Sequence, residues 1–208
     1  MTAILLVDDH PAICFALKVL LERHTEFSVT TSPGDNLIAQ LHREKPELLI
    51  LDLELKKANG LDLLPRIRQH FPHLKVLVFT NQPAGIYALR TLQAGANGFI
   101  SKNLPLESVE PVCSLILNGY QCFPEGTLPR TAGVSPQQDG PDTPLARFSD
   151  REISVLNYLK QGKTNKEIAD LLSLSNKTIS TYKVRMLKKC GYEEPGQLLA
   201  LIDREDDK

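Results

Sequence analysis

From residue 3 to about residue 118 short apolar runs alternate with amphipathic stretches, and this alternation constrains the fold more than any other feature of the chain. Ala3 to Val7, Phe27 to Thr31, Leu48 to Leu51, Val76 to Thr80 and Gly98 to Ile100 are short, rich in aliphatic and β-branched residues, and bounded by polar residues, Gly or Pro. They read as buried strands. Between them, Pro11 to Arg23, Asn36 to Glu44, Leu61 to Gln69, Ile86 to Ala94 and Leu106 to Leu117 carry apolar residues at helical spacing. Phe15, Val19 and Leu20 make one stripe; Val109, Val112, Leu115 and Ile116 make another. Strands alternating with helices require parallel pairing through right-handed crossovers. The expectation for residues 1–122 is an α/β domain with a five-stranded, doubly wound parallel sheet, whose site lies at the carboxyl ends of the strands.

Over residues 123–147 the character changes to Pro124, Gly126, Pro129, Gly133, Pro136, Gly140, Pro141 and Pro144, which predicts an extended linker. From Phe148 to residue 208 the pattern is wholly helical: Ile153, Leu156 and Leu159; Ile168, Leu171 and Leu172; Ile179, Met186 and Leu187; Leu198, Leu199 and Ile202. A small all-α domain of four short helices is expected, with a frayed charged tail from Asp203. The apolar fraction of 42% and charged fraction of 24% belong to a globular protein. No stretch approaches the roughly 18 uninterrupted apolar residues of a membrane span. The opening run has no basic leader and ends in Asp8 and Asp9, so neither a signal peptide nor a membrane anchor is expected, and the chain is placed in the cytoplasm. Cys14, Cys113, Cys122 and Cys190 are scattered and read as reduced thiols. His10, His24, His42, His70 and His73 form no ligand cluster in the sequence and read as solvated surface.

The strand ends carry the chemistry. The first ends in Asp8 and Asp9, the third in Asp52 and the fourth in Thr80; the fifth leads to Ser101 and Lys102. A lone Asp after a strand is commonly a helix cap. Three carboxylates, a hydroxyl and an ammonium at matching ends point instead to a site. Clustered carboxylates repel one another unless a cation binds among them. Mg²⁺ fits, because it takes oxygen ligands and bridges carboxylates to phosphate oxygens. The expected ligands are Asp9, Asp52 and the backbone carbonyl of Glu54, with Asp8 acting through water. On this reading Asp52 is the nucleophile toward a phosphoryl group, and Lys102 and the Thr80 hydroxyl each take one of its oxygens.

Val-Asp-Asp-His-Pro at 7–11, Leu-Asp-Leu at 51–53 with Gly60, Val-Phe-Thr at 78–80 and Ala-Gly-Ala-Asn-Gly-Phe-Ile-Ser-Lys at 94–102 resemble the signature of two-component response-regulator receivers, which have the flavodoxin-like fold. The resemblance implies Asp52 as phospho-acceptor, Asp8 and Asp9 as the acidic pair, Thr80 and Lys102 as switch residues, and Phe99 as the aromatic rotamer partner. Lys56 and Asn103 stand where the family usually has prolines, which bears on the loops around the acceptor and the switch lysine.

Residues 160–189 carry Lys160, Lys163, Lys166, Lys177, Lys183, Arg185, Lys188 and Lys189 against Glu167 and Asp170, a basic patch on a chain of formal net charge −1. Thr164 is placed to cap a helix that packs Ile168 and Ala169 inward; Leu174 and Ser175 make a tight connection; Asn176 starts a second helix with Ile179 on the core side. That second helix offers Lys177, Thr178, Ser180, Thr181, Lys183 and Val184 to a DNA groove, with cations for phosphates and small side chains for base edges. Tyr182 is read as core. Phe-Ser-Asp-Arg-Glu-Ile-Ser-Val-Leu at 148–156, Thr-Asn-Lys-Glu-Ile-Ala at 164–169 and Leu-Ser-Asn-Lys-Thr-Ile-Ser-Thr-Tyr-Lys at 174–183 resemble the LuxR-type helix-turn-helix. The combination is similar to NarL/FixJ-type response regulators, with the run at 176–183 closest in character to the BvgA and EvgA branch. The resemblance implies a sensor histidine kinase or histidine phosphotransfer domain as donor, double-stranded promoter DNA as target, a homodimer when phosphorylated, and a dimerisation helix around Gln197 to Ile202. Two rivals remain. An aspartyl-phosphate phosphatase or phosphotransferase usually carries two acids as D-x-D on the nucleophile strand, where this chain has Asp52-Leu53-Glu54. A regulator signalling through protein contacts alone needs no acid, hydroxyl and ammonium set.

Overall fold

The computed structural model describes residues 1–127 and 144–200, apart from Thr25, Lys57, Ser173, Pro195 and Leu199. The chain divides into two units, Met1–Thr131 and Ala132–Lys208.

In the first unit the five apolar runs form one sheet: β1 (Thr2–Val7), β2 (Phe27–Ser32), β3 (Leu48–Leu51), β6 (Lys75–Thr80) and β7 (Gly98–Ser101), with β4 (Glu54–Leu55) and β5 (Ala58–Asn59) in a small hairpin outside it. The order is β2-β1-β3-β6-β7 and every pairing in the sheet is parallel. Ile4 to Val7, Leu48 to Leu51 and Val76 to Phe79 are all buried, as expected of central strands covered on both faces. The helices α1 (Pro11–Leu21), α2 (Leu37–Glu44), α3 (Gly60–His70), α4 (Ala84–Gln93) and α5 (Val109–Leu117) supply the crossovers. Register then does the positioning. Val7 lies opposite Leu51, and the Asp52 N–H donates to the Val7 carbonyl at 2.9 Å, so Asp8 and Asp52 leave neighbouring strands side by side.

Each sheet edge is partly covered by local chain, which occupies backbone groups that would otherwise template association. At β2, Lys18 Nζ donates to the Val29 carbonyl at 2.8 Å and the Val29 N–H donates to Glu22 Oε1 at 3.0 Å. At β7, the Phe99 N–H donates to the Cys122 carbonyl at 2.9 Å and the Cys122 N–H to the Asn97 carbonyl at 3.0 Å. All four cysteines are free, and burial pushes the Cys113 thiol up to about 12.

Several local features differ from the sequence expectations; among them α1 ends at Leu21, not Arg23, and α4 starts at Ala84, not Ile86. The β4–β5 hairpin was not foreseen, because two-residue strands leave no period to detect. The third helix starts at Gly60, not Leu61, capped by the Asn59 side chain accepting from the Leu61 N–H at 2.9 Å. A Cβ on Gly60 would lie 2.8 Å from Leu53 Cα and press on the Asp52 carbonyl, so only glycine lets the helix start this close to the strand end. The fifth helical stretch opens as a 3₁₀ turn, Leu106–Ser108, before α5.

Among the described residues the second unit begins with a 3₁₀ turn, Pro144–Arg147, followed by α6 (Asp150–Lys160), α7 (Asn165–Leu172) and α8 (Asn176–Cys190). Leu145 is buried, so packing of this unit starts ahead of the expected Phe148. Of the expected fourth helix, Gln197 and Leu198 are helical, while Leu199, Ile202 and the charged tail lie outside the described residues. Ser149 and Glu152 form a capping box at α6, and Lys189 Nζ of α8 donates to Glu152 Oε2 at 2.6 Å. Burial pushes the Glu152 carboxyl up, but the bonds from Lys189 and Ser149 more than offset it and hold the carboxyl below its ordinary value.

A depressed folded-state value contributes stability above the unfolded value, and that contribution is lost as pH falls through the folded one. Lys189→Met should therefore destabilise the second unit by about 1–3 kcal/mol at pH 7 in urea unfolding, with the difference shrinking in acid as Glu152 protonates. An unchanged midpoint at pH 7 contradicts this role.

Candidate functional site

The carboxyl rim of the sheet gathers the expected acids and the lysine. Asp8 and Asp52 are 3% and 2% exposed. Lys102 Nζ stands 2.6 Å from Asp52 Oδ2 and 2.7 Å from Asp8 Oδ2, and its side chain is 4% exposed. The Lys102 N–H donates to the Thr80 carbonyl at 2.8 Å, which ties the loop after β7 to the end of β6. The other oxygen of Asp52 accepts from the Glu54 N–H at 3.2 Å, so the chain turns tightly after β3. Cys14 Sγ donates to the Asp8 carbonyl at 3.4 Å.

One ammonium faces two carboxylates, and the third, Asp9, pairs with His10 beside them. Burial pulls the Lys102 amine down, but Asp52 and Asp8 outweigh it, raising the amine above its ordinary value and keeping it charged. Burial pushes the Asp52 carboxyl up; Lys102 only partly compensates, and Asp8 adds to the rise. Asp8 Oδ2 and Asp9 Oδ1 are buried without a formed hydrogen bond, at ion-pair distance from Lys102 and His10 respectively. One ligand atom each from Asp8, Asp9, His10 and Asp52 fall within 4.8 Å of one another. Three hard carboxylates at this spacing fit a divalent cation such as Mg²⁺.

His10 corrects the reading of all five histidines as solvated surface outside any cluster. Its ring is 60% exposed, but Nδ1 sits 2.9 Å from Asp9 Oδ1 and 3.1 Å from Asp8 Oδ1, because it is the N-cap residue of α1 directly after the two acids. Thr80 is fully buried and its hydroxyl accepts from the Gln82 N–H at 3.3 Å; among the described residues it makes no hydrogen bond to Asp52. Phe99 is buried in β7. Phe79, which sequence reasoning passed over as core, places its ring centroid 5.8 Å from Lys102 Nζ.

In the second unit Ile168, Ile179 and Met186 are buried where α7 and α8 pack. Thr164 and Glu167 cap α7 reciprocally, and Ser175 caps α8 by accepting from the Thr178 N–H at 3.0 Å. Lys177, Ser180, Thr181 and Val184 are exposed along α8, Val184 by 50%. Arg185 and Lys188 are exposed on the same helix and were not named as contacts from the sequence. Thr178 is half-buried, its hydroxyl 2.8 Å from Ser175 Oγ, and Tyr182 is half-buried too. Lys183 Nζ donates to Asn165 Oδ1 at 3.2 Å, and Asn165 Nδ2 donates to Ser180 Oγ at 3.4 Å, so α7 braces two side chains of α8.

Residues 4–111 match the response regulator receiver domain, and residues 146–200 match the family of bacterial regulatory proteins of the luxR type. The chain belongs to the NarL/FixJ family of response regulators. The virulence factors putative positive transcription regulator BvgA of Bordetella pertussis is 37% identical over 206 residues, covering 98% of this chain and 97% of its own length. The DNA-binding transcriptional activator EvgA of Escherichia coli is 31% identical over 188 residues, 89% of each chain. Among solved structures, RcsB from Salmonella enterica serovar Typhimurium, bound to promoter rprA in the presence of phosphomimetic BeF₃⁻, superposes with a TM-score of 0.75 at 25% identity, covering 97% of this chain and 98% of that one. In this response regulator no described helix is long and apolar enough to cross a membrane.

An acid whose folded-state value is raised favours folding most at low pH, and that advantage is lost as pH rises from the unfolded value of 3.8 through the folded one. Without divalent cation at pH 7, Asp52→Asn should therefore stabilise the first unit by about 1 kcal/mol, a usual gain on relieving strain at an active site. The gain should vanish near pH 3. A variant less stable than the parent at pH 7 contradicts the charge excess.

Proposed function

We propose that this response regulator is a cytoplasmic transcription factor switched by phosphorylation of Asp52, with a receiver over residues 1–122, a linker over 123–147 and a DNA-binding domain over 148–208. The observation that carries this reading is the Asp52 carboxylate, buried at the rim with Lys102 shared between it and Asp8, and with Asp9 in the same cluster. A sensor histidine kinase or histidine phosphotransfer domain presents phosphohistidine. An Asp52 oxygen attacks phosphorus, the P–N bond breaks, and the imidazole leaves with the electron pair and takes up a proton. The products are an acyl phosphate on Asp52 and a free histidine.

Asp9, Asp52 and the Glu54 carbonyl, with Asp8 through water, would hold Mg²⁺, which would supply positive charge to neutralise the phosphoryl oxygens. Lys102 pairs with one oxygen, which requires it to loosen its hold on Asp8 and Asp52. Thr80 turns its hydroxyl to another, exchanging the bond from the Gln82 N–H. Phe99 follows that movement as the aromatic partner, and the receiver's two states differ in the surface offered to a second copy. A phosphorylated homodimer then sets two α8 helices on two half-sites of double-stranded promoter DNA. Lys177, Thr178, Ser180, Thr181, Lys183 and Val184 make the contacts, with Asn165 holding Lys183 and Ser180 in place. Nothing in this cycle requires substrate turnover, so the protein acts as a regulator and not as an enzyme.

Incubation of the full chain with Mg²⁺ and a small phosphodonor should label it, and Asp52→Asn should abolish the label. A wild-type chain that takes no label yet binds its promoter unchanged would favour a regulator working through protein contacts alone. In DNA-binding titrations, Lys183→Ala should lower the salt slope by about 1, while Thr181→Ala should relax sequence preference by about 1–3 kcal/mol. If both variants bind as the parent does, α8 is not the recognition helix.

A further inference from the structure

The hydroxyl protons along α8 already have acceptors within the protein, and this limits which base edges the helix can read. We propose that Thr181 and Val184 are the base readers of α8, Thr181 by accepting from the exocyclic amino group of an adenine or a cytosine, and Val184 by packing on a thymine methyl. The proposal rests on the reading of α8 as the helix that enters the major groove.

Helical geometry selects these two residues. Ile179 and Met186 are buried and mark the core side of α8. With about 3.6 residues per turn, the line opposite them runs through Lys177, Thr181, Val184 and Lys188, all of them exposed. Ser180 and Lys183 lie to one side of that line, where α7 holds them. Lys183 Nζ donates to Asn165 Oδ1 at 3.2 Å, and Asn165 Nδ2 donates to Ser180 Oγ at 3.4 Å. Two uncharged side chains therefore occupy the middle of the line, and a cation stands beyond each end, placed for the phosphates that border a groove.

The hydrogen bonds then set the polarity of the readout. A hydroxyl has one proton to donate and two lone pairs with which to accept. Thr181 Oγ1 donates its proton to the Lys177 carbonyl at 3.0 Å, so toward the groove it offers only lone pairs. Ser180 Oγ donates to the Asn176 carbonyl at 3.2 Å besides accepting from Asn165, and Thr178 Oγ1 lies 2.8 Å from Ser175 Oγ. In the major groove guanine presents the acceptors N7 and O6 and thymine the acceptor O4, none of which can pair with an acceptor; adenine N6 and cytosine N4 each carry a donor. Val184 is 50% exposed and has no polar side-chain atom, and the apolar feature of that groove is the thymine methyl. Three residues of helix advance about 4.5 Å, which keeps the two contacts within two base pairs of each other.

The test selects duplexes from a randomised pool with the full chain, with and without a small phosphodonor, and then titrates the sequence the parent prefers. One position should be restricted to adenine or cytosine, with a fixed thymine within two base pairs of it. Thr181→Val, which keeps the shape and removes the hydroxyl, should lose the first preference, and Thr181→Ser should keep it. Replacing the thymine by deoxyuridine, which lacks only the methyl, should weaken the parent about fivefold and Val184→Ala by no more than about twofold. A guanine at the position that depends on Thr181, or the same loss with deoxyuridine in parent and variant, overturns the proposal and leaves α8 on DNA. Duplex binding identical in the parent, Lys183→Ala, Thr181→Val and Val184→Ala contradicts the placement of α8 in the groove, and the proposal with it.

Discussion

Lys102 lies between Asp52 and Asp8, and the rest of the receiver is arranged so that this single ammonium meets both acids. It cannot balance three carboxylates, so the rim keeps a negative excess in a place with little water. Such an arrangement costs stability, and proteins retain it where a cation or a reacting group completes the charge. The imbalance also makes the rim responsive. Any event that adds positive charge or redistributes the Lys102 contacts changes which oxygens need partners. Because Lys102 is bonded through its backbone to Thr80, the loops after β6 and β7 sense the change together.

The sheet order is what brings these groups together. With β1 between β2 and β3, the acids that follow β1 and β3 become neighbours, and β6 and β7 bring Thr80 and Lys102 to the same edge. Side-chain and backbone contacts cover Val29 on one outer strand and Phe99 on the other, which blunts both edges of the sheet. In the second unit an analogous economy operates with one buried acid. Glu152 caps α6 and pairs with Lys189, locking the start of α6 to the end of α8.

Much of this was legible before any coordinates, for a physical reason. Strands buried on both faces must be continuously apolar, so Leu48 to Leu51 and Val76 to Phe79 declared themselves, and residues after parallel strands must converge. Asp8, Asp52 and Lys102 follow from that topology alone. What periodicity does not encode was missed. The β4–β5 hairpin is too short to have a period, and the start of α3 at Gly60 depends on close approach to the Asp52 carbonyl. His10 reads as a surface residue because nothing in a linear sequence shows that its ring turns back over the acids before it. Asn165 lies 18 residues from Lys183, and only the packing of α7 on α8 shows that it braces that helix.

The central claim is that the excess negative charge of Asp8, Asp9 and Asp52 is completed by a divalent cation. The most direct measurement is the thermal stability of the first unit as Mg²⁺ is raised, in the parent and in Asp9→Asn. The account predicts a midpoint that climbs with the logarithm of Mg²⁺ concentration in the parent, as for a ligand that binds only the folded state, and a nearly flat response in the variant. A flat parent, or the same climb in both proteins, would contradict it.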